Sequence, residues 1–419
     1  CRRSGSGVGG GGMSGSVRLL LSGGEQAALA EELLEGWAQG AVLAVAAAQE
    51  RALLQAELPK GPLELGPAVV LGSGGSCGGR RWCVQPLSHL QRAAESTGQW
   101  LETIGVDSGR LELFNALPLH HISGLMPVVR ASTWGAPLRW LPPAWLRQPA
   151  TLLAEAQPEP GRQALISLVP TQLQRLLDHP DGVAWLRQFS LIWVGGARQP
   201  TEQAELARAA GLRLSPCYGS TETGALVAAL APERFLAGEG GCGHPLPHAA
   251  LRLRAGDGAL QIRASSLAAG FLVDGALAPL PLQQDWWSSG DAASLGPDGL
   301  QVLGRLDGAI SSGGETVFPE QVAQQLLELS TAAGLPVREL LLLAEPDPLW
   351  GERLAALVRL AADAPPAVLQ RLEELARQLP PSQRPRRWLL CPQLERNGLG
   401  KWERGRWLRH LERGDSSKV

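Results

Sequence analysis

The sequence predicts an α/β protein: a large N-terminal domain of α/β layers that includes a small β subdomain, followed by a small α+β C-terminal domain. Three observations carry this reading. Between residues 68 and 210, apolar runs of strand length alternate with segments whose apolar residues recur at helical spacing. From about Gly241 to Leu303 the rhythm changes to short alternating stretches broken by Gly, Pro and Asp, as in a small antiparallel or barrel-like unit. Beyond Pro319 helices return among new apolar runs, and 419 residues suffice for two or three domains of roughly 100–200 residues.

Residues 1–15 read as a disordered tail. They are rich in Gly, Ser and Arg, lack the apolar centre of a signal peptide, and contain Met13, a candidate start. Leu29–Leu58 carries apolar residues at mixed i, i+3 and i+4 spacing and reads as helix, punctuated by Pro59, Gly61 and Pro62. Ala68–Leu71 and Trp82–Val84 read as strands flanking a Gly/Ser loop, Gly72–Arg81. Leu87–Ile104, Pro170–Leu177 and Thr201–Ala210 are helical; Glu112–Leu117, Leu165–Val169 and Leu191–Val194 are extended. Leu251–Leu253 and Leu260–Arg263 are strands of the β unit. In the last part, Pro319–Leu329 and Pro366–Leu379 are helical, and Leu340–Leu343 and Ala355–Leu360 extended.

Charge and composition exclude several classes. With 38 Lys plus Arg against 40 Asp plus Glu and no basic cluster, the chain lacks the footprint of a nucleic-acid binder. No window reaches the roughly 18 uninterrupted apolar residues of a membrane span, the nearest being Ala41–Ala48. Six cysteines without C-x-x-C pairing predict free thiols in a reducing, cytoplasmic compartment. Lysine occurs only at positions 60, 401 and 418 and tyrosine only at 218, so a Lys or Tyr at a motif position stands out from background.

The Gly/Ser loop admits several readings. Gly74–Gly78 matches G-x-S-x-G, which would make Ser76 the nucleophile of a serine hydrolase, but that elbow needs a helix directly after it and the following residues are extended in character. No Gly-x-x-x-x-Gly-Lys-Ser/Thr occurs, and the G-x-G-x-x-G at Gly238–Gly243 opens no helix. A strand–loop–strand phosphate clamp remains, with backbone N–H groups and Ser hydroxyls around phosphate oxygens and Arg80 or Arg81 supplying charge. An ordinary hairpin tip is its structural counterpart.

Further motifs follow in order: Cys217–Gly224 (CYGSTETG), Ser289-Gly290-Asp291, Gly304–Asp307 (GRLD), Ser312–Pro319 (SGGETVFP) and Asn397–Lys401 (NGLGK). With the loop, this series resembles the adenylate-forming superfamily of acyl-CoA synthetases, luciferases and peptide-synthetase adenylation domains. The resemblance implies ATP, Mg²⁺ and coenzyme A as cofactors, a small-molecule carboxylic acid as substrate, an adenylation domain over residues 16–306 with a β-rich subdomain at 241–303, and a mobile C-terminal domain at 307–419. It implies that Ser73, Ser76, Gly78 and Arg81 surround the phosphates, with Arg81 at the place of the family's lysine. Gly195, Gly196 and Ala197 would line the base, Tyr218, followed by Gly219, would stack on adenine, and Asp291 with Arg305 would hold the ribose. Thr221 would bond phosphate, Glu222 would ligate Mg²⁺, and Lys401 would be the catalytic cation of adenylate formation. Asp307 would be the hinge, and Gly313 and Gly314 would line the pantetheine tunnel.

Leu117–Leu125 (LPLHHISGL) resembles the family's P-L-F-H-x-x-G, with His121 bordering the acyl pocket; the other reading is a packed core histidine. Val169–Leu177 and Arg396–Lys401 most resemble the o-succinylbenzoate–CoA ligases of menaquinone and phylloquinone biosynthesis. A second carboxylate on such a substrate needs a polar or cationic partner amid apolar walls, for which Ser123, Arg130 and Thr171 are candidates. A ligase for another aryl or medium-chain acid and a non-catalytic adenylate-binding module are the further alternatives.

Overall fold

The computed structural model describes residues 17–74, 80–362, 364–365, 367–397 and 402–412, which form four sheets. The first runs in the order Arg18–Ser22, Val42–Ala47, Ala68–Gly74, Arg80–Pro86, Gly270–Val273, Ala276–Pro279. Its first three strands are parallel and the rest antiparallel.

The single helix expected over Leu29–Leu58 is corrected to helix Gln26–Ala38, strand Val42–Ala47 and helix Arg51–Glu57. Gly40, at φ 80°, takes the left-handed position that ends the first helix. The VLAVAA run behind it is buried at every position between two parallel neighbours, so it shows no period-2 alternation and blends into the helical pattern on either side.

The second sheet runs His244–Pro245, Ala225–Ala229, Leu214–Ser220, Phe189–Val194, Gln163–Leu168, Leu111–Asn115, Leu138–Trp140. From Leu214–Ser220 onward its pairings are parallel. Helices Leu87–Thr103 and Ile122–Trp134 lie between the two sheets. Leu90, Ala93, Leu125 and Val129 pack with Leu43, Val69 and Leu71 of the first. Leu101, Ala131 and Trp134 pack with Leu113, Leu165, Leu191 and Trp193 of the second. Fully buried leucines such as Leu43, Leu71 and Leu90 each contribute roughly 1.5–3 kcal/mol of apolar burial.

The third sheet is antiparallel: Ala249–Leu253, Ala259–Ala264, Trp286–Gly296 and Leu282–Gln283, with Gly299–Arg305 on Trp286–Gly296. Not all of the β-rich stretch stays in this sheet. The hairpin Gly270–Pro279 leaves it and pairs with Arg80–Pro86 of the first sheet, Phe271 opposite Cys83. At Gly270 a Cβ would stand 2.0 Å from the Ala278 carbonyl oxygen, so this crossing accepts only glycine.

The fourth sheet runs Glu315–Val317, Ile310–Ser312, Gly351–Leu360, Val337–Asp347, with Arg387–Leu390 parallel to Gly351–Leu360. One face packs Leu340, Leu342 and Val358 on helices Pro319–Ala332 and Ala367–Ala376 through Leu326 and Leu372. The other packs Leu341, Leu343 and Leu357 on helix Arg404–Glu412 through Trp407 and Leu411. The Thr201 hydroxyl donates to Glu328, joining the second sheet's helical layer to this unit. Among the described residues no helix is long and apolar enough to cross a membrane.

Candidate active site

Several motif residues follow the C-terminal ends of the second sheet's parallel strands, where open α/β sheets form their ligand crevices. Leu111–Asn115 leads to His120 and His121, Gln163–Leu168 to Thr171, Phe189–Val194 to Gly195–Ala197, and Leu214–Ser220 to Thr221 and Glu222. Close approach dictates two glycines here. A Cβ at Gly195 would meet Cys217 Sγ at 2.9 Å, and one at Gly219 would lie 1.8 Å from the Ala225 carbonyl oxygen. Gly219 thus lets the strand return antiparallel at once. The Thr223 hydroxyl holds that turn, accepting from Ser220 N–H at 2.8 Å and donating to Ala225 O at 2.6 Å. Gln85 Nε2 of the first sheet donates to Thr221 O at 2.6 Å, fixing the loop from the opposite side.

At one end, Tyr218, Asp291, Arg305 and Asp307 form a single network. The Tyr218 hydroxyl donates to Asp291 Oδ2 at 2.5 Å. Arg305, paired across the strands with Asp291, lies 3.5 Å from its other oxygen and donates to Ser289 O at 2.9 Å. Its remaining nitrogens grip Asp307 in a two-point fork at 3.1 Å each. Gly290 makes room: a Cβ there would lie 2.8 Å from Arg305 Nη2. Burial, and then the Asp291 charge, push the Tyr218 phenol well above its usual range, so it stays a donor. Asp291 is raised by burial against the pull of Tyr218 and Arg305.

At the other end, Arg81 Nη2 lies 3.3 Å from Glu222 Oε1, and its guanidinium stacks 4.4 Å from the Phe271 ring centre. Glu222 is only 5% exposed, and Arg81 offsets part of its burial. Among the described residues no group of three or more His, Cys, Asp or Glu is placed to hold a metal. A single carboxylate such as Glu222 can hold Mg²⁺ where phosphate and water supply the remaining oxygens. Arg80 lies across Gly72 and forms an ion pair with Glu50, Nε standing 3.0 Å from Oε1 while Nη2 donates to Oε2 at 3.1 Å. Ser73 Oγ is buried with no partner beside this loop. Ser76 and Gly78 lie outside the described residues. The chain resumes at Arg80 as strand, not helix, which removes the support a nucleophile elbow at Ser76 requires.

His121 precedes helix Ile122–Trp134 with its ring 4.2 Å from that of His120. Ser123 lies in the first turn of that helix, and Thr171 Oγ1 is buried without a partner. Arg130, from the same helix, is 3% exposed and stacks 4.1 Å over Trp193. Its Nε has no hydrogen-bond partner, and no acid is among the groups that act on its charge. Burial lowers its pKa to about 9. A buried guanidinium in this state has donors that an anion could satisfy. Sequence reasoning missed His248, whose Nδ1 lies 2.8 Å from Ser96 Oγ; the two are 152 residues apart, and no spacing signal links them.

In the fourth-sheet unit, Gly313 and Gly314, at φ 61° and 83°, make the two-residue turn between Ser312 and Glu315. A Cβ on Gly313 would enter the Trp350 ring at 2.5 Å. Lys401 lies outside the described residues.

The "AMP-binding enzyme" family model matches residues 67–265. The chain is 31% identical to the 2-succinylbenzoate–CoA ligase of Salmonella typhimurium over 288 residues, which is 68% of this chain and 56% of that protein. It is 31% identical over 305 residues to the probable 2-succinylbenzoate–CoA ligase of Mycobacterium tuberculosis, covering 71% of this chain and 73% of that one. The fold matches o-succinylbenzoate CoA synthetase (MenE) of Bacillus subtilis in complex with the acyl-adenylate OSB-AMP, with TM-score 0.76, 19% identity and 93% and 87% of the two chains covered. It also matches that synthetase in complex with ATP and magnesium ion, with TM-score 0.75, 20% identity and 93% and 88% covered.

Proposed function

The chain belongs to the AMP-binding enzyme family, and from that premise we propose that it is an ATP- and Mg²⁺-dependent acid–CoA ligase acting on 2-succinylbenzoate. In the first half-reaction a carboxylate oxygen attacks the α-phosphorus of ATP, forming acyl-AMP and expelling pyrophosphate. In the second the thiolate of coenzyme A attacks the acyl carbon, and AMP leaves with the oxygen it received. Little covalent work falls to the protein, so positioning and charge dominate.

Tyr218 offers its ring to adenine while its hydroxyl aims Asp291 at the ribose, with Gly195–Ala197 along the base. Thr221 and the Ser73–Arg81 loop receive the phosphates. Mg²⁺, when bound at Glu222, neutralises phosphate charge. Lys401 supplies the cation for the transition state. Residues 307–419 turn about Asp307 between the half-reactions, and Gly313 and Gly314 then line the path of the pantetheine arm. His121 borders the acyl pocket.

The observation that carries the substrate reading is Arg130: a buried cation over Trp193 with no acid of its own fits a substrate that brings a second, non-reacting carboxylate beside an aromatic ring. In this reading the aliphatic carboxylate is activated and the ring carboxylate is recognised. The thiols of Cys83, Cys217, Cys242 and Cys391 are free, which supports a reducing, cytoplasmic setting. Pyrophosphate release over a panel of carboxylic acids tests the proposal. Release should be strongest with 2-succinylbenzoate; equal or faster release with benzoate would overturn the substrate assignment.

A further inference from the structure

Arg130 is not the only buried donor without an acceptor in this part of the molecule. His248 Nε2 is buried and has no hydrogen-bond partner. The rest of that side chain is tightly held. Ser96 Oγ accepts the His248 backbone N–H at 3.0 Å and lies 2.8 Å from Nδ1. With the Ser96 hydroxyl donating to Nδ1, the hydrogen of the neutral ring stands on Nε2. Burial, then the Arg130 charge, lower the His248 pKa to about 4, which keeps the ring neutral.

Packing brings the two donors into one region. Ser96 and Arg130 sit on the two helices between the first and second sheets, and Trp134, one turn beyond Arg130, donates its Nε1–H to Ala94 O at 3.1 Å. Both helices contribute to the cluster that contains Trp193, the ring beneath Arg130. Each group is costly as it stands, because a buried donor without an acceptor forfeits its hydration. One acceptor-only anion entering between them would satisfy both.

We propose that His248 is a specificity residue for the ligase reaction: its Nε2–H is a second donor, beside Arg130, to the substrate's non-reacting carboxylate, with Ser96 as the positioning residue that sets its tautomer. This rests on the acid–CoA ligase reading above. It also explains why a neutral imidazole suits the position: a second full charge beside Arg130 would repel it, whereas a dipole adds a directed hydrogen bond.

The test compares 2-succinylbenzoate with 4-oxo-4-phenylbutanoate, which keeps the aliphatic carboxylate and lacks the ring carboxylate, in ATP-dependent pyrophosphate release. His248→Ala should raise KM for 2-succinylbenzoate about tenfold or more, with kcat little changed and KM for the monoacid unaltered. His248→Gln, which keeps an N–H near the Nε2 position, should recover most of that loss. Ser96→Ala should show a smaller shift of the same selectivity. An equal loss on both acids, or no loss on either, overturns the role of His248. A wild-type enzyme indifferent to the ring carboxylate overturns the substrate reading and this inference together, and is told apart by needing no variant.

Discussion

The Tyr218 hydroxyl donates to Asp291 at 2.5 Å, and the same carboxylate is held from its other side by Arg305. In the proposed reading the single tyrosine of the chain does two things, offering a ring face to the base and aiming an acid at the ribose. Tyr218→Phe separates them, since it keeps the ring and removes the donor. We expect KM for ATP to rise roughly tenfold, the loss of a hydrogen bond to a charged group, with kcat reduced less. Steady-state kinetics at varied ATP measure this; an unchanged KM would place Asp291 away from the nucleotide.

Arg130 makes a prediction about stability as well as activity. Its charge is buried over Trp193 without an acid, so replacing it by an apolar side chain of similar reach removes a desolvation cost. Arg130→Met should hold or raise thermal stability, by on the order of 1 kcal/mol or more. The same variant should weaken 2-succinylbenzoate about a hundredfold in kcat/KM. Thermal melting beside kinetics checks both; a variant that melts earlier and keeps its preference for the diacid would contradict the assignment.

His248 should leave a mark on acid stability. Its folded pKa, about 4, lies below the usual 6.5, so protons between those values bind the unfolded chain preferentially. The contribution is fully present above about pH 6.5 and is lost as pH falls toward 4, about 3 kcal/mol in all. Denaturation midpoints across that window should flatten in His248→Gln; an unchanged slope would mean that His248 is not the group responsible.

Much of this was legible in the sequence because the chemistry sits in short contiguous motifs. Cys217–Gly224 is a strand and the turn after it, and Asp291, paired across strands with Arg305, accepts from Tyr218 of that motif. Other features escaped because they depend on burial or on distant pairings. Val42–Ala47 is apolar throughout, which hides a strand buried on both faces inside a helical pattern. The hairpin at Gly270 changes sheets, which no local pattern announces. Arg80 and Arg81 are neighbours with equal claims in sequence, and only the fold shows that one pairs with Glu50 and the other with Glu222. Ser123, Arg130 and Thr171 are equivalent in sequence, and the burial of Arg130 without an acid is a property that only the fold shows.

Lys401 is expected to act in one half-reaction only. Lys401→Ala should abolish pyrophosphate release while largely sparing thioester formation from pre-made acyl-AMP, because its charge serves the α-phosphate transition state. Rapid-quench assays of each half-reaction separate the two. Comparable losses in both would make the lysine structural.

The account turns on transfer of a carboxylate oxygen to the α-phosphorus. Incubating the enzyme with ATP, coenzyme A and 2-succinylbenzoate labelled with heavy oxygen in its aliphatic carboxylate, then weighing the nucleotide product by mass spectrometry, tests it directly. The account predicts AMP carrying one heavy oxygen. Label in inorganic phosphate or pyrophosphate, or thioester formed with unlabelled AMP, would contradict it.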